Sequence, residues 1–84
     1  MASEADSLEL KPISQEAIPE AVAKAEHYRL LNEPEQAESV CLDVYGVDPG
    51  NQRNLRCLVL AMSDQLGSPR GARRKEIEVF LLQL

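Results

Sequence analysis

The chain has 84 residues, of which 44% are hydrophobic and only three are aromatic, and its net charge is −5. A chain of this length forms one small domain with a limited core. No stretch approaches the roughly 18 apolar residues that span a bilayer, and the acidic, polar N-terminus does not resemble a signal peptide. We therefore expect a cytoplasmic protein that does not enter the membrane.

The charge is divided unevenly along the chain. Residues 1–48 contain 11 acidic and 3 basic residues, a net charge of −8, whereas residues 49–84 contain 3 acidic and 6 basic residues, a net charge of +3. The acidic first half argues against a general nucleic-acid-binding protein. The basic second half is either a solvated helix face or a docking patch for an acidic partner surface.

The chain is predicted to contain a flexible tail, residues 1–13, and a helical domain, residues 14–84. Polar and acidic residues dominate the tail, which favours disorder. Leu8, Leu10 and Ile13 offer an alternative, in which the tail binds a partner in an extended form.

The first helix of the domain is predicted to run from about Ser14 to Leu31. Pro19 is compatible with a helix only in its first turn, so the helix begins shortly before it. Ala21, Ala25 and Tyr28 recur at three- and four-residue spacing, as expected for one face of a helix.

A polar turn is predicted to separate the first helix from the second, which runs over about 34–45. Asn32 is expected to cap the second helix and Glu35 to complete a capping box, with Pro34 in the first turn. Gly46 is expected to end the helix in a left-handed conformation. The predicted inward positions are Ala37, Val40, Cys41, Val44 and Tyr45.

Two further helices are predicted from capping residues and prolines of the same kind. Asp48 is expected to cap a third helix over about Pro49–Leu66, and Ser68-Pro69 to open a fourth after Gly67. The predicted inward positions are Leu55, Leu58, Val59 and Met62 in the third helix and Ala72, Ile77, Phe80, Leu81 and Leu84 in the fourth.

The second pair of helices repeats the pattern of the first. Three positions recur at an offset of 34: Ala21, Ala25 and Tyr28 correspond to Leu55, Val59 and Met62. Four recur at an offset of 35: Pro34, Ala37, Val44 and Tyr45 correspond to Pro69, Ala72, Val79 and Phe80. Asp48-Pro49 closes the first unit. The pattern resembles the tetratricopeptide repeat (TPR), whose repeat length is about 34 residues, although Met62 replaces the aromatic residue in the second unit.

This resemblance implies an all-α fold of antiparallel helical hairpins, a fragment of about four helices from an α-solenoid; an unrelated small bundle is the alternative. It also implies an adaptor without catalytic activity that binds another protein in a groove. Transferred to this chain, the groove residues are Val22, Glu26, Arg29, Arg53, Arg56, Leu60 and Ser63. The Lys-and-Asn clamp of chaperone-binding members is absent. Arg29, Arg53 and Arg56 form a polar set suited to an acidic or carboxyl group on a partner.

The C-terminal helix is predicted to have an apolar surface that its own hairpin cannot cover. Five of the last six residues are apolar, and a helix presents roughly half of its circumference to one neighbour. We expect Leu82 to be covered by a partner subunit, a continuation of the chain or a second copy. The alternative function is therefore a small accessory or assembly subunit held permanently in a larger enzyme complex.

No catalytic, cofactor-binding or metal-binding motif is recognisable in the sequence. Cys41 and Cys57 lack the spacing of a redox or zinc motif, and with His27 they provide one ligand too few for a closed zinc site. We expect both thiols to be buried and His27 to be solvated. A metal- or redox-active protein that uses these three residues is the remaining alternative.

Overall fold

The computed structural model describes residues 13–66 and 74–84, which are helical without any β-strand. The elements are a short 3-10 helix, Gln15–Ala17, followed by α1 (Ile18–Leu30), α2 (Pro34–Val47), α3 (Gln52–Ser63) and α4 (Arg74–Leu81). The prediction of an all-α fold is thus confirmed. None of these helices is long and apolar enough to cross a membrane.

Helix α1 begins at Ile18, with Pro19 in its first turn as predicted. Ser14 precedes only the 3-10 helix and makes no side-chain capping bond. Ile13, which was assigned to the tail, is half-buried and packs against the cluster of Ile18, Val22 and Val44. The ordered domain therefore includes at least the last residue of the predicted tail.

The turn between α1 and α2 differs from the predicted capping box. Asn32 has a φ of 61° and ends α1 in the left-handed conformation instead of capping α2. The amide of Glu33 donates to the Tyr28 carbonyl at 2.9 Å, and the amide of Asn32 donates to the Arg29 carbonyl at 3.0 Å. These two bonds form the helix-terminating motif in which asparagine often replaces glycine. Glu33 precedes α2 without a side-chain capping bond, and Pro34 is its first residue.

The turn between α2 and α3 also lies later in the chain than predicted. Gly46 lies inside α2, which continues to Val47, and it does not have a positive φ. Asn51, not Asp48, caps α3: its side-chain oxygen accepts the amide of Asn54 at 2.9 Å. The Asp48 carboxylate instead accepts a bond from the Asn51 side-chain amide at 3.2 Å.

Successive helices pack against each other, and α1 also packs against α3. Gln65, just after α3, donates to Glu38 near the beginning of α2 at 2.7 Å, so α2 and α3 run in opposite directions. Gln52, at the start of α3, donates to the carbonyl of Gln83, just after α4, at 3.2 Å, so α3 and α4 are also antiparallel. This packing is consistent with the predicted hairpins.

The core follows the predicted stripes of α2 and α3. The main cluster joins all four helices and contains Ala25, Ala37, Cys41, Cys57, Leu58, Val59, Ala61, Met62 and Ile77, with Tyr28, Val40 and Phe80 at its edge. Leu55 is also buried. Leu81 and Leu84 were expected to lie inward but are each about half exposed. The predicted positions of Gly67, Ser68-Pro69 and Ala72 lie outside the described residues.

Candidate partner-binding site

A cavity of about 390 Å³ opens between α1 and α3. Its lining residues are Glu26, Arg29, Arg53, Arg56, Cys57 and Leu60. Five of these six were assigned to the groove from the sequence alone, and the structure brings those five together. Cys57 is the sixth, and the sequence indicated only that it would be buried.

Helical periodicity explains why these side chains share one face. Glu26 and Arg29 are three residues apart on α1, and Arg53, Arg56 and Leu60 follow each other by three and four residues on α3. Residues at these spacings are neighbours on a helix surface. The packing of α1 against α3 then places the two rows side by side.

Two ion pairs join the rows across the cavity. Arg53 donates two bonds to the Glu26 carboxylate, at 2.7 and 2.9 Å. Arg29 donates to Asp64, just after α3, at 2.8 Å. The bond from Arg53, together with the charge of Arg56, holds the pKa of Glu26 below its usual value, although partial desolvation opposes this shift. The bond to Asp64 raises the pKa of Arg29.

Arg56 differs from the other two arginines of the cavity. It is exposed, and it makes no ion pair with any residue in 13–66 or 74–84. Arg29 and Arg53 are held by Asp64 and Glu26, so their positive charge is largely compensated. Arg56 is therefore the cation of the cavity best placed to bind an acidic group from outside.

Cys57 forms an apolar part of the cavity wall. It is almost completely buried, with 3% of its surface exposed. Cys41, on α2, lies in the same core cluster as Cys57. The interaction with the Cys41 thiol lowers the pKa of Cys57, as do the charges of Arg29 and Arg53, whereas burial and the charge of Glu26 raise it. The interaction with Cys57 and burial raise the pKa of Cys41. Both cysteines are free thiols.

Protein-family models, curated proteins and solved structures were compared with the chain, and none of them matches it. The TPR resemblance therefore depends on the sequence pattern alone. The function of the cavity is therefore inferred from the geometry of its own residues.

Two predicted groove residues lie elsewhere. Val22 is 1% exposed and packs with Ile18 and Val44 in the smaller core cluster, so its assignment to the groove was wrong. Ser63 is half-buried and lines a second cavity of about 220 Å³ between α3 and α4, together with Leu66 and residues of α4.

The remaining candidate residues are separate from the cavity. Leu82 is 87% exposed and follows the end of α4. His27 is exposed on α1, while Cys41 and Cys57 are buried. Within 13–66 and 74–84, no three His, Cys, Asp or Glu side chains are grouped in a way that suits a metal ion.

Sequence reasoning missed the acidic residues that hold the arginines. Asp64 lies 35 residues from Arg29, and Glu26 lies 27 residues from Arg53. Glu26 was assigned to the groove, but its pairing with Arg53 was not foreseen. The signal available in the sequence was the presence of both acidic and basic residues on the two segments that pack together.

Proposed function

We propose that this protein is a non-catalytic protein–protein interaction module, a TPR-like adaptor in the cytoplasm. It binds an acidic side chain or a C-terminal carboxylate of a partner protein in the cavity between α1 and α3. The free thiols of Cys41 and Cys57 suit the reducing conditions of that compartment.

The observation that supports this proposal is the position of Arg56 in a concave site between rigid helices. A planar guanidinium matches a carboxylate in geometry and can donate two parallel bonds to it. Leu60, 47% exposed beside it, offers an apolar contact for the neighbouring part of a peptide. The Glu26–Arg53 ion pair fixes one wall of the site before the partner arrives.

Replacing Arg56 by glutamate is expected to weaken partner binding by roughly 1–3 kcal/mol, because the reversal removes a charge-assisted hydrogen bond and repels the acidic group. The wild-type protein and Arg56→Glu should be compared as baits in quantitative affinity purification. The affinity for the purified partner that the wild type enriches is then measured by titration calorimetry.

Lys75→Glu is the matched control, because it makes the same change of charge at an exposed position on α4, away from the cavity. Its affinity should stay close to that of the wild type. Reversals at Arg29 and Arg53 extend the test, although they also break the ion pairs with Asp64 and Glu26. Unchanged affinity in all three arginine variants would contradict the proposed site and move the interface to the tail or to α4.

A second candidate function is a small accessory or assembly subunit held permanently in a larger enzyme complex. It is favoured by the apolar side chains exposed on and just after α4, which are Val79, Leu81, Leu82 and Leu84. A partner subunit that covers these side chains would remove their apolar surface from water.

Without that partner, the 84-residue chain should self-associate or bind an apolar dye at low micromolar concentration, as measured by light scattering and dye fluorescence. A stable monomer that binds no dye would contradict this candidate.

A further inference from the structure

Cys41 and Cys57 are brought together between two packed antiparallel helices. Cys41 is on α2 and Cys57 on α3, and both lie in the main core cluster. A hydrogen bond joins the two helices at the same level: the side-chain amide of Asn54 donates to the Cys41 carbonyl at 3.0 Å. Asn54 lies one turn before Cys57 on α3, so the two thiols occupy neighbouring positions on the two helices.

The environments of the two thiols are not equivalent. Cys57 lines the cavity between α1 and α3, where the guanidinium groups of Arg29, Arg53 and Arg56 also lie. Cys41 is fully buried behind it and does not line that cavity. A small reagent that enters the cavity therefore meets Cys57 first. Arg29 and Arg53 favour a thiolate at Cys57, the nucleophilic form of cysteine, although Glu26 in the same cavity acts in the opposite direction.

We propose that Cys57 is a site of reversible oxidation by a hydroperoxide such as hydrogen peroxide, and that Cys41 is the resolving thiol that converts the product into an intramolecular disulfide between α2 and α3. The two cysteines have the arrangement expected of such a pair: one thiol is reached from a cavity that three arginines line, and a second lies beside it in the core. This proposal does not depend on the proposed adaptor function.

The chemistry proceeds in two balanced steps. The Cys57 sulfur attacks one oxygen of hydrogen peroxide: an S–O bond forms, the O–O bond breaks, and the leaving hydroxide takes up the thiol proton to give water. Cys57 is oxidised by two electrons to a sulfenic acid, and the peroxide is reduced. The Cys41 sulfur then attacks the Cys57 sulfur, the S–S bond replaces the S–O bond, and the hydroxyl group leaves with the Cys41 proton as a second water.

The directions of the pKa shifts agree with this division of roles. The interaction with Cys41 and the charges of Arg29 and Arg53 lower the pKa of Cys57, whereas the interaction with Cys57 and burial raise the pKa of Cys41. The rate of alkylation of Cys57 by iodoacetamide should therefore rise with pH with a midpoint below that of an ordinary cysteine. Cys41 should remain unreacted over the same pH range.

The test uses the full chain, reduced, freed of reductant and treated with a small excess of hydrogen peroxide. We expect both free thiols to be lost, the intact mass to fall by two hydrogen atoms, and peptide mapping to show a Cys41–Cys57 link. Dithiothreitol should restore both thiols.

Two serine variants separate the roles of the cysteines. In Cys41→Ser, dimedone should label a sulfenic acid at Cys57; in Cys57→Ser, Cys41 should stay unlabelled. In urea the two wild-type cysteines should be alkylated at similar rates, because the cavity is lost.

Several results would overturn the proposal. These are disulfide-linked dimers in place of the intramolecular bond, Cys41 reacting before Cys57 in the wild type, and Cys57 alkylated no faster in the folded protein than in urea at neutral pH. Circular dichroism of the two serine variants shows whether they remain folded. The mapping of the wild-type protein decides the outcome even if a variant unfolds.

Discussion

Replacing Leu58 by alanine is expected to lower the free energy of unfolding by roughly 2–5 kcal/mol, the usual cost of removing a large buried aliphatic side chain. Leu58 has no exposed surface and lies in the middle of α3, in the cluster that joins all four helices. The deleted atoms leave a cavity, because neighbours held on rigid helices collapse into it only in part. Urea denaturation followed by circular dichroism measures the change. In so small a domain, a loss of this size is a large share of the total free energy of unfolding.

Leu82→Ala provides the matched control for Leu58→Ala. The same atoms are removed from a side chain that is 87% exposed, so the expected change is within about 0.5 kcal/mol. Similar losses in the two variants would show that Leu82 is covered in solution, as in a self-associated form. A negligible loss in Leu58→Ala would mean that the inward face of α3 has been assigned wrongly.

The helices and the inward face of α3 were predictable because their signal is local and repeated. Leu55, Leu58 and Met62 recur at three- and four-residue spacing, and all three are buried as expected. Pro19 and Pro34 lie in the first turns of α1 and α2, where a missing amide proton leaves no helical bond unmade. These features depend on neighbours within two helical turns and need no knowledge of the tertiary packing.

The helix boundaries were predicted less well, because the residues that mark them have two possible roles. Asparagine can cap the start of a helix, and it also tolerates the left-handed conformation that ends one. Asn32 takes the second role and Asn51 the first. Asp48 was an equally plausible cap, but the chain continues for another three residues before α3 begins at Gln52. The choice depends on where packing places each helix end.

Most of the residues that line the cavity were predicted by transferring the groove of the TPR family to two helices of this chain. The wrong assignments have a cause in the tertiary packing. Val22 was assigned to the groove, yet it is buried because α1 also packs against α2, where Val44 forms a cluster with Val22 and Ile18 of α1. The pairing of Arg29 with Asp64 depends on the packing of α1 against α3, and the sequence does not specify which acidic residue each arginine meets. The resemblance predicted three available arginines, whereas the structure leaves Arg56 as the one without an ion pair among the described residues.

The ion pairs therefore shape the cavity, and the charge that we propose for partner binding is that of Arg56. Both pairs are accessible to solvent, and ion pairs in such positions contribute little to stability. Their contribution is geometric: they hold Arg29 and Arg53 against Asp64 and Glu26 and leave the space above Arg56 and Leu60 open. A partner carboxylate would displace neither pair, so it would not lose the energy of an existing contact when it binds Arg56.

Replacing Ala37 by leucine should destabilise the protein by roughly 1–3 kcal/mol, because added atoms in a close-packed core force neighbouring side chains or helices apart. Ala37 has no exposed surface and lies in the main core cluster near the start of α2. A loss of 1 kcal/mol lowers the melting temperature of a domain of this size by about 4–8 °C, which thermal denaturation resolves easily.

Ala23→Leu is the control for this substitution, because it makes the same change at an exposed position inside α1. Leucine and alanine differ little in helix propensity, so its melting temperature should stay close to that of the wild type. An unchanged melting temperature in Ala37→Leu would mean that Ala37 faces solvent and that the predicted register of α2 is wrong. If the melting temperature decreases in Ala37→Leu alone, α2 needs a small side chain at this position to approach its neighbours, as the repeat pattern of the sequence predicts.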